Sequence, residues 1–169
     1  MANWSRTEIC ILFKNIFDCK HKSDEILNDL EKNGKFNFVP DYDSVKIAND
    51  IPTLIICGES RWGFAIDDFV RYLNELNIDT FNIIDYEPGS DFFIYIEYRN
   101  GILINEVNES YICKEGIELL GIEEYYNIFE YYQEIAHAGN TDPWDEVDEK
   151  DKKAIIAAGY EKEDIFTYN

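Results

Sequence analysis

Asn100-Gly101 lies between two runs of apolar and β-branched residues, Phe92 to Tyr98 and Ile102 to Val107. A two-residue type I′ turn needs positive φ at both central positions, and Asn-Gly meets that need at little steric cost. The chain must therefore double back here as an antiparallel hairpin. Glu87-Pro88-Gly89-Ser90 carries turn chemistry just upstream, so Thr80 to Tyr86 joins the hairpin as a third strand of a meander. Within the hairpin Phe92, Ile94, Ile96 and Tyr98 alternate with Phe93, Tyr95 and Glu97. One face is apolar, and the other, with its tyrosine and carboxylate, is a candidate contact surface.

Two further strands precede the meander. Thr7 to Phe13 and Thr53 to Cys57 are short Ile-rich runs of the kind buried in a sheet, the second ended by Gly58. Between them Ser23 is placed to cap a helix over Ser23 to Lys32, with Asn33-Gly34 as its left-handed stop. Phe36 to Val39 fits a short strand before Pro40, and Asp41 to Pro52 a loop with one helical turn. Ile66, Phe69, Val70 and Leu73 form the apolar stripe of a helix over Ala65 to Glu75. Past Cys113 the spacing becomes helical: one broken or continuous helix over Lys114 to Ala138, stopped by Gly139-Asn140, then a last one over Glu146 to Ala158.

The order β-α-β-α-β-β-β followed by helices predicts an α+β fold, a mostly antiparallel sheet with helices on one face and a ferredoxin-like core. Residues 1–113 form that core, and 114–169 form a helical acidic extension packed on the same domain. The sequence has no repeat of fixed period and no Ser/Gly linker. Its 35 Asp and Glu against 15 Lys and Arg give a formal charge of −20, on a chain that is 46% hydrophobic and 15% aromatic. Such a surface repels nucleic acid and anionic membrane and attracts basic surfaces, while the aromatics supply a core that disordered acidic tails lack. Without a membrane-length apolar run or a secretory leader, the expected location is the cytoplasm. The four cysteines, Cys10, Cys19, Cys57 and Cys113, are expected to be free buried thiols.

Met1-Ala2-Asn3-Trp4 runs straight into the first strand, Trp62 stands before a sheet-covering helix, and Tyr86-Glu87-Pro88-Gly89 leads to Phe92-Phe93. In these features residues 1 to 108 resemble the YubB-type ferredoxin-like proteins of plasmids and phages. Ser5 stands where that family usually has Cys, and Gly63-Phe64 where it has prolines. The resemblance implies a mobile-element origin, and with it a role in conflict between element and host; it brings no catalytic residues.

The motifs that could carry chemistry are weak. Cys57-Gly58-Glu59-Ser60-Arg61 has neither the Cys-to-Arg spacing of thiol phosphatases nor the second glycine of a serine elbow, and is expected to be a strand-to-helix turn. Cys19-Lys20-His21 is one ligand pair without a second, too few for structural zinc. His21 and His137 stand near helix ends, where a cationic or capping role is ordinary. The run from Asp142 to Asp151 fails as a calcium loop, because Val147 occupies the sixth position that glycine must fill. No cofactor, metal or catalytic residue is assigned.

What remains is the acidic surface. Glu118, Glu123, Glu124, Glu130, Glu134, Asp142, Asp145, Glu146, Asp148 and Glu149 are the candidate partner-binding carboxylates, with Tyr132 and Trp144 as anchors. Tyr125-Tyr126 and Tyr131-Tyr132 cannot all be buried by one helical stripe, so at least one or two are exposed. The expected function is a non-enzymatic inhibitor of anti-CRISPR or anti-restriction type, occupying the basic surface of a host nucleic-acid-binding defence protein as a nucleic-acid mimic. An immunity protein neutralising a basic toxin is the alternative. A small enzyme, its site drawing on Cys57, Arg61 or His137, is the third. Solubility alone would also account for the charge.

Overall fold

Strand β1, Trp4–Leu12, buries Ser5, Thr7, Ile9 and Ile11 and turns Trp4, Arg6, Glu8 and Leu12 outward. A strand with this period sits with one face on a core. It pairs antiparallel with β4, Thr53–Arg61, on one side and with β5, Phe81–Glu87, on the other. Strands β6, Phe92–Arg99, and β7, Ile102–Glu109, continue the sheet beyond β5, while the short β2, Phe38–Pro40, and β3, Lys46–Ala48, both pair with β4. The order is β2-β4-β1-β5-β6-β7 with every pairing antiparallel, and the chain is α+β. This computed structural model describes residues 4–32, 35–48, 50–61 and 63–166. Met1-Ala2-Asn3, the expected stop at Asn33-Gly34 and Trp62 lie outside the described residues.

Gly58 does not end β4, which runs on to Arg61. A Cβ at Gly58 would lie 2.4 Å from the Val39 carbonyl oxygen and 2.5 Å from the Phe38 ring. Glycine is there to admit β2 and its phenylalanine against the sheet, not to turn the chain. The stretch Cys57 to Arg61 is consequently strand and not a strand-to-helix turn. The Asn100-Gly101 turn has the geometry its residues demand, with φ of 52° and 75°.

Helix α1, Ile16–Lys32, starts a full two turns before Ser23. Asn15 supplies the cap, its Oδ1 accepting the Asp18 N–H at 2.8 Å, and Ser23 is buried within the helix beside Cys19. Helix α2, Ile66–Glu75, uses its stripe as expected. Ile26 and Leu30 of α1 and Phe69 and Leu73 of α2 join Ile9, Ile11, Leu54, Ile56, Phe81 and Ile83 in one core, so both helices cover the same face. Phe64 and Phe69 meet edge-on at 5.1 Å, and Phe36 closes against Phe69 at the same distance.

At the other end of that face the inward positions turn polar. Thr7 Oγ1 donates to Asp85 Oδ1 at 2.8 Å, and the Thr7 and Ser60 hydroxyls lie 2.9 Å apart. Asp85 Oδ2 accepts the Phe64 N–H at 3.0 Å, and the Ser5 hydroxyl donates to the Ser60 carbonyl. With Thr7 donating to the carboxylate, Ser60 donates to Thr7. The row ties β4, β1 and β5 to the segment entering α2.

The second face is not the free contact surface its alternation suggests. Phe93 and Tyr95 are buried there together with Ile84 and Tyr86. The Tyr95 hydroxyl donates to Glu97, whose other oxygen takes the Arg99 guanidinium at 2.6 Å. Burial, then the Glu97 carboxylate, pushes the Tyr95 phenol up to about 12.

Residues 110–169 form a second compact unit, described on its own, which begins four residues before the expected start of the extension at 114. Ser110–Cys113 belongs to it because Tyr111 is buried against Tyr125 at 4.7 Å and accepts the Tyr125 hydroxyl on its carbonyl. Helix α3, Lys114–Leu120, gives way at Gly121, with φ of 84°, to a 3-10 turn over Ile122–Tyr125 and then to α4, Tyr126–Gly139. Asn140, left-handed, stops α4 as expected. The short helix expected over Glu146 to Ala158 is α6, Glu149–Ala157, which starts three residues later because buried Val147 is extended; a separate turn of helix, α5 over Pro143–Glu146, precedes it. Helix α7, Lys162–Ile165, follows. No helix among the described residues is long and apolar enough to cross a membrane.

Two stability predictions follow from the strand contacts. Gly58→Ala should lower the urea midpoint by the equivalent of about 1–3 kcal/mol, since a backbone carbonyl cannot yield to the new methyl group. Asp85 is 1% exposed, and desolvation raises its pKa above 3.8 although the Phe64 N–H, Ser5 and Thr7 pull it partly back. Between 3.8 and that raised value the folded state holds a proton that the unfolded chain has released, and this group's contribution to stability falls as pH rises through that window. Asp85→Asn should lose less stability than the parent between about pH 4 and about pH 7. Asp85→Ala, leaving two donors unmet, should cost about 2 kcal/mol or more at either pH.

Candidate functional site

The two sides of α4 are chemically different. Phe129 and Ala136 are buried and Ile128, Tyr132 and Ile135 half-buried, while Tyr126, Glu130, Tyr131 and Glu134 face out. Tyr126, Glu130 and Glu134, at i, i+4 and i+8, line up along one ridge. Tyr126 is 44% exposed and Tyr131 59%, whereas Tyr125 is fully buried. The paired tyrosines thus divide as helix geometry requires.

Of the two anchors expected from sequence, Tyr132 is half-buried with its ring 6.2 Å from that of Tyr131, and Trp144 is half-buried edge-on to Phe166 at 6.3 Å. Trp144 contributes packing within the unit. Among the described residues of this unit the exposed aromatic residues are Tyr126 and Tyr131, which the periodicity of Ile122, Phe129 and Ala136 singles out only once the true start of α4 is known.

The ten candidate carboxylates separate into two groups. Asp142 accepts the Trp144 N–H at 2.9 Å as the cap of α5 and pairs with Lys162; Glu146 accepts the Thr141 hydroxyl. Glu118 pairs with Lys114 at 3.4 Å, and Glu149 with Lys152 at 2.8 Å, which holds the Glu149 carboxyl below its usual range. Glu124 is half-buried. Glu123, Glu130, Glu134, Asp145 and Asp148 are exposed and pair with no cationic side chain among the described residues. Residues 110–169 hold fifteen carboxylates and five lysines, half of the chain's net charge on about a third of its length.

The nucleophile candidates behave differently from catalytic groups. All four cysteines are free; Cys19 and Cys113 are buried as expected, but Cys10 and Cys57 are only partly so, since both lie on the sheet face opposite α1 and α2. Burial pushes the Cys57 thiol up and the nearby Glu8 carboxylate adds to it, outweighing Ser44 and Lys46. Burial alone raises Cys10. Both stay protonated at neutral pH, the unreactive form. The exposed ring of His21 lies 4.3 Å from that of Phe17, while Cys19 points into the core. His137 stands exposed in the last turn of α4. Among the described residues no three His, Cys, Asp or Glu side chains come together as a metal set.

No protein-family model, curated protein or solved structure matches this chain. The division among carboxylates has a direct check. Asp142→Ala should destabilise the protein by about 1 kcal/mol in urea unfolding, since it removes both a cap and an ion-pair partner. Asp148→Ala, at a cap position without a side-chain hydrogen bond, should change stability by less than about 0.5 kcal/mol.

Proposed function

We propose that this chain is an acidic, non-enzymatic interaction protein of a phage or other mobile element, acting in the host cytoplasm. It inhibits a nucleic-acid-binding defence protein, of anti-CRISPR or anti-restriction type, by occupying that protein's basic surface as a nucleic-acid mimic. The observation that carries this reading is the outward ridge of α4, where carboxylates with no ion-pair partner among the described residues stand among exposed tyrosines. Glu130 and Glu134 lie about 6 Å apart along the helix axis. That is close to two phosphate steps of one DNA strand, at about 3.4 Å each. Tyrosines beside them are the residue type enriched at interface hot spots.

The remaining features agree with a mobile-element accessory protein. Strands β4 and β5 flank β1 and are joined through α2, a split β-α-β unit of the kind ferredoxin-like folds employ. This favours a ferredoxin-like core carrying an acidic helical extension, in keeping with the YubB-type resemblance of residues 1 to 108.

The test is capture of a partner from host cells with the tagged full chain, followed by competition against nucleic acid over a salt series. The parent should displace nucleic acid with an affinity that falls steadily as salt rises. The variant Glu123→Gln, Glu130→Gln, Glu134→Gln, Asp145→Asn, Asp148→Asn should bind at least about tenfold more weakly, with an unchanged fold by circular dichroism. Salt-insensitive binding retained by that variant would reject mimicry.

A further inference from the structure

We propose that the helix-side face of β6 and β7 is a docking groove for a basic amphipathic helix supplied by a partner protein. The groove is set by a mismatch of widths. Six strands in line span about 24 Å between their outer axes, and a helix packed on a sheet covers about 10 Å, so α1 and α2 cover one end only in part: Ile96 is buried in the core, Ile94 and Tyr98 are half-buried against it, and Leu103 is exposed. The register puts Ile94, Ile96 and Tyr98 of β6 on the helix side, opposite Asn108, Glu106 and Leu103 of β7. With Ile66 and Val70 of α2 as a wall, they enclose an open trough of about 710 Å³.

Its chemistry selects the occupant. The floor is apolar over Ile94 to Tyr98, a strand length of about 13 Å, which matches about nine residues of helix. Two partly covered strands are about as wide as one helix, so a helix would complete the layer that α1 and α2 begin. Asp67 and Asp68 on α2 and Glu106 on β7 flank the apolar floor, while the one cation among the described lining residues, Arg71, is 3.2 Å from Asp68 and neutralises it. A basic flank on the incoming helix answers that rim. A second copy of this chain would bring a charge of −20 to a chain of the same charge, which disfavours self-association. All the described residues lining the groove belong to residues 1–109.

The probe is a helix-forming peptide of about 18 residues with leucines at i, i+3, i+4 and i+7 and lysines elsewhere, set against a scrambled peptide of the same composition. The full chain should bind the striped peptide at least about tenfold more tightly than the scrambled one, and amide resonances of β6, β7 and α2 should shift. Leu103, 41% exposed, tolerates replacement; Leu103→Asp and Leu103→Ser should each erase the preference for the striped peptide without changing the circular dichroism. Asp67→Asn with Asp68→Asn should weaken both peptides and flatten the salt dependence. Equal binding of the two peptides, resonance shifts confined to 110–169, or a dimer of this chain that the peptide dissociates would overturn the proposal.

Discussion

The carboxylate of Asp85 joins three parts of the first unit at one point. It accepts from Thr7 on the neighbouring strand and from the Phe64 backbone on the segment leading into α2, while Ser60 of β4 reaches it through the Thr7 hydroxyl. An ionised group this deeply buried would be costly alone, and its donors are what make it tolerable. In exchange they fix where α2 begins and so where Phe64 and Phe69 enter the core. Leu or Val at this position would pack as well in the strand but leave the Phe64 N–H without its acceptor.

From that fixed point the width of the sheet does the rest. The α1 and α2 stripes are spent on Leu54, Ile56, Ile9, Ile11, Phe81 and Ile83, on β4, β1 and β5. Ile94, Ile96 and Tyr98 continue the same apolar rows on β6, because register, not cover, decides which side they face. A meander closed by a tight Asn-Gly turn therefore delivers hydrophobic side chains to the margin of the layer its own helices cover, where Ile96 is buried but Ile94 and Tyr98 are only half so.

Much of this was legible in the residues. Strand positions with period two, the helical stripe of α2 and the demand of Asn100-Gly101 for positive φ are local properties, and local properties survive folding. The failures share a different cause. Gly58 reads as a terminator because glycine usually is one, and only the non-local approach of Phe38 explains it as a space for another strand. Ser23 reads as a cap, yet Asn15 takes that role because its side chain reaches the Asp18 N–H. Phe93 and Tyr95 look like a surface until their burial is known, and Trp144 looks like an anchor until its contact with Phe166 is seen. In the candidate site the residue types were legible and the ion pairing was not, since Lys162 meets Asp142 across twenty residues of chain.

That pairing decides how the negative charge acts. Screening limits exposed charges to a range of about 8–10 Å at physiological salt, so the total of −20 is never felt at one point. What a partner meets is a local set, and carboxylates such as Asp142 and Glu149 are already answered by lysines. The ridge of α4 and the flanks of the β6–β7 groove are two places where acid lies beside aromatic or apolar surface. Charge at such places sets the rate of encounter and turns away nucleic acid, while the apolar area beside it sets how long a complex lasts. A chain that needed only to stay dissolved would gain nothing from putting the two together.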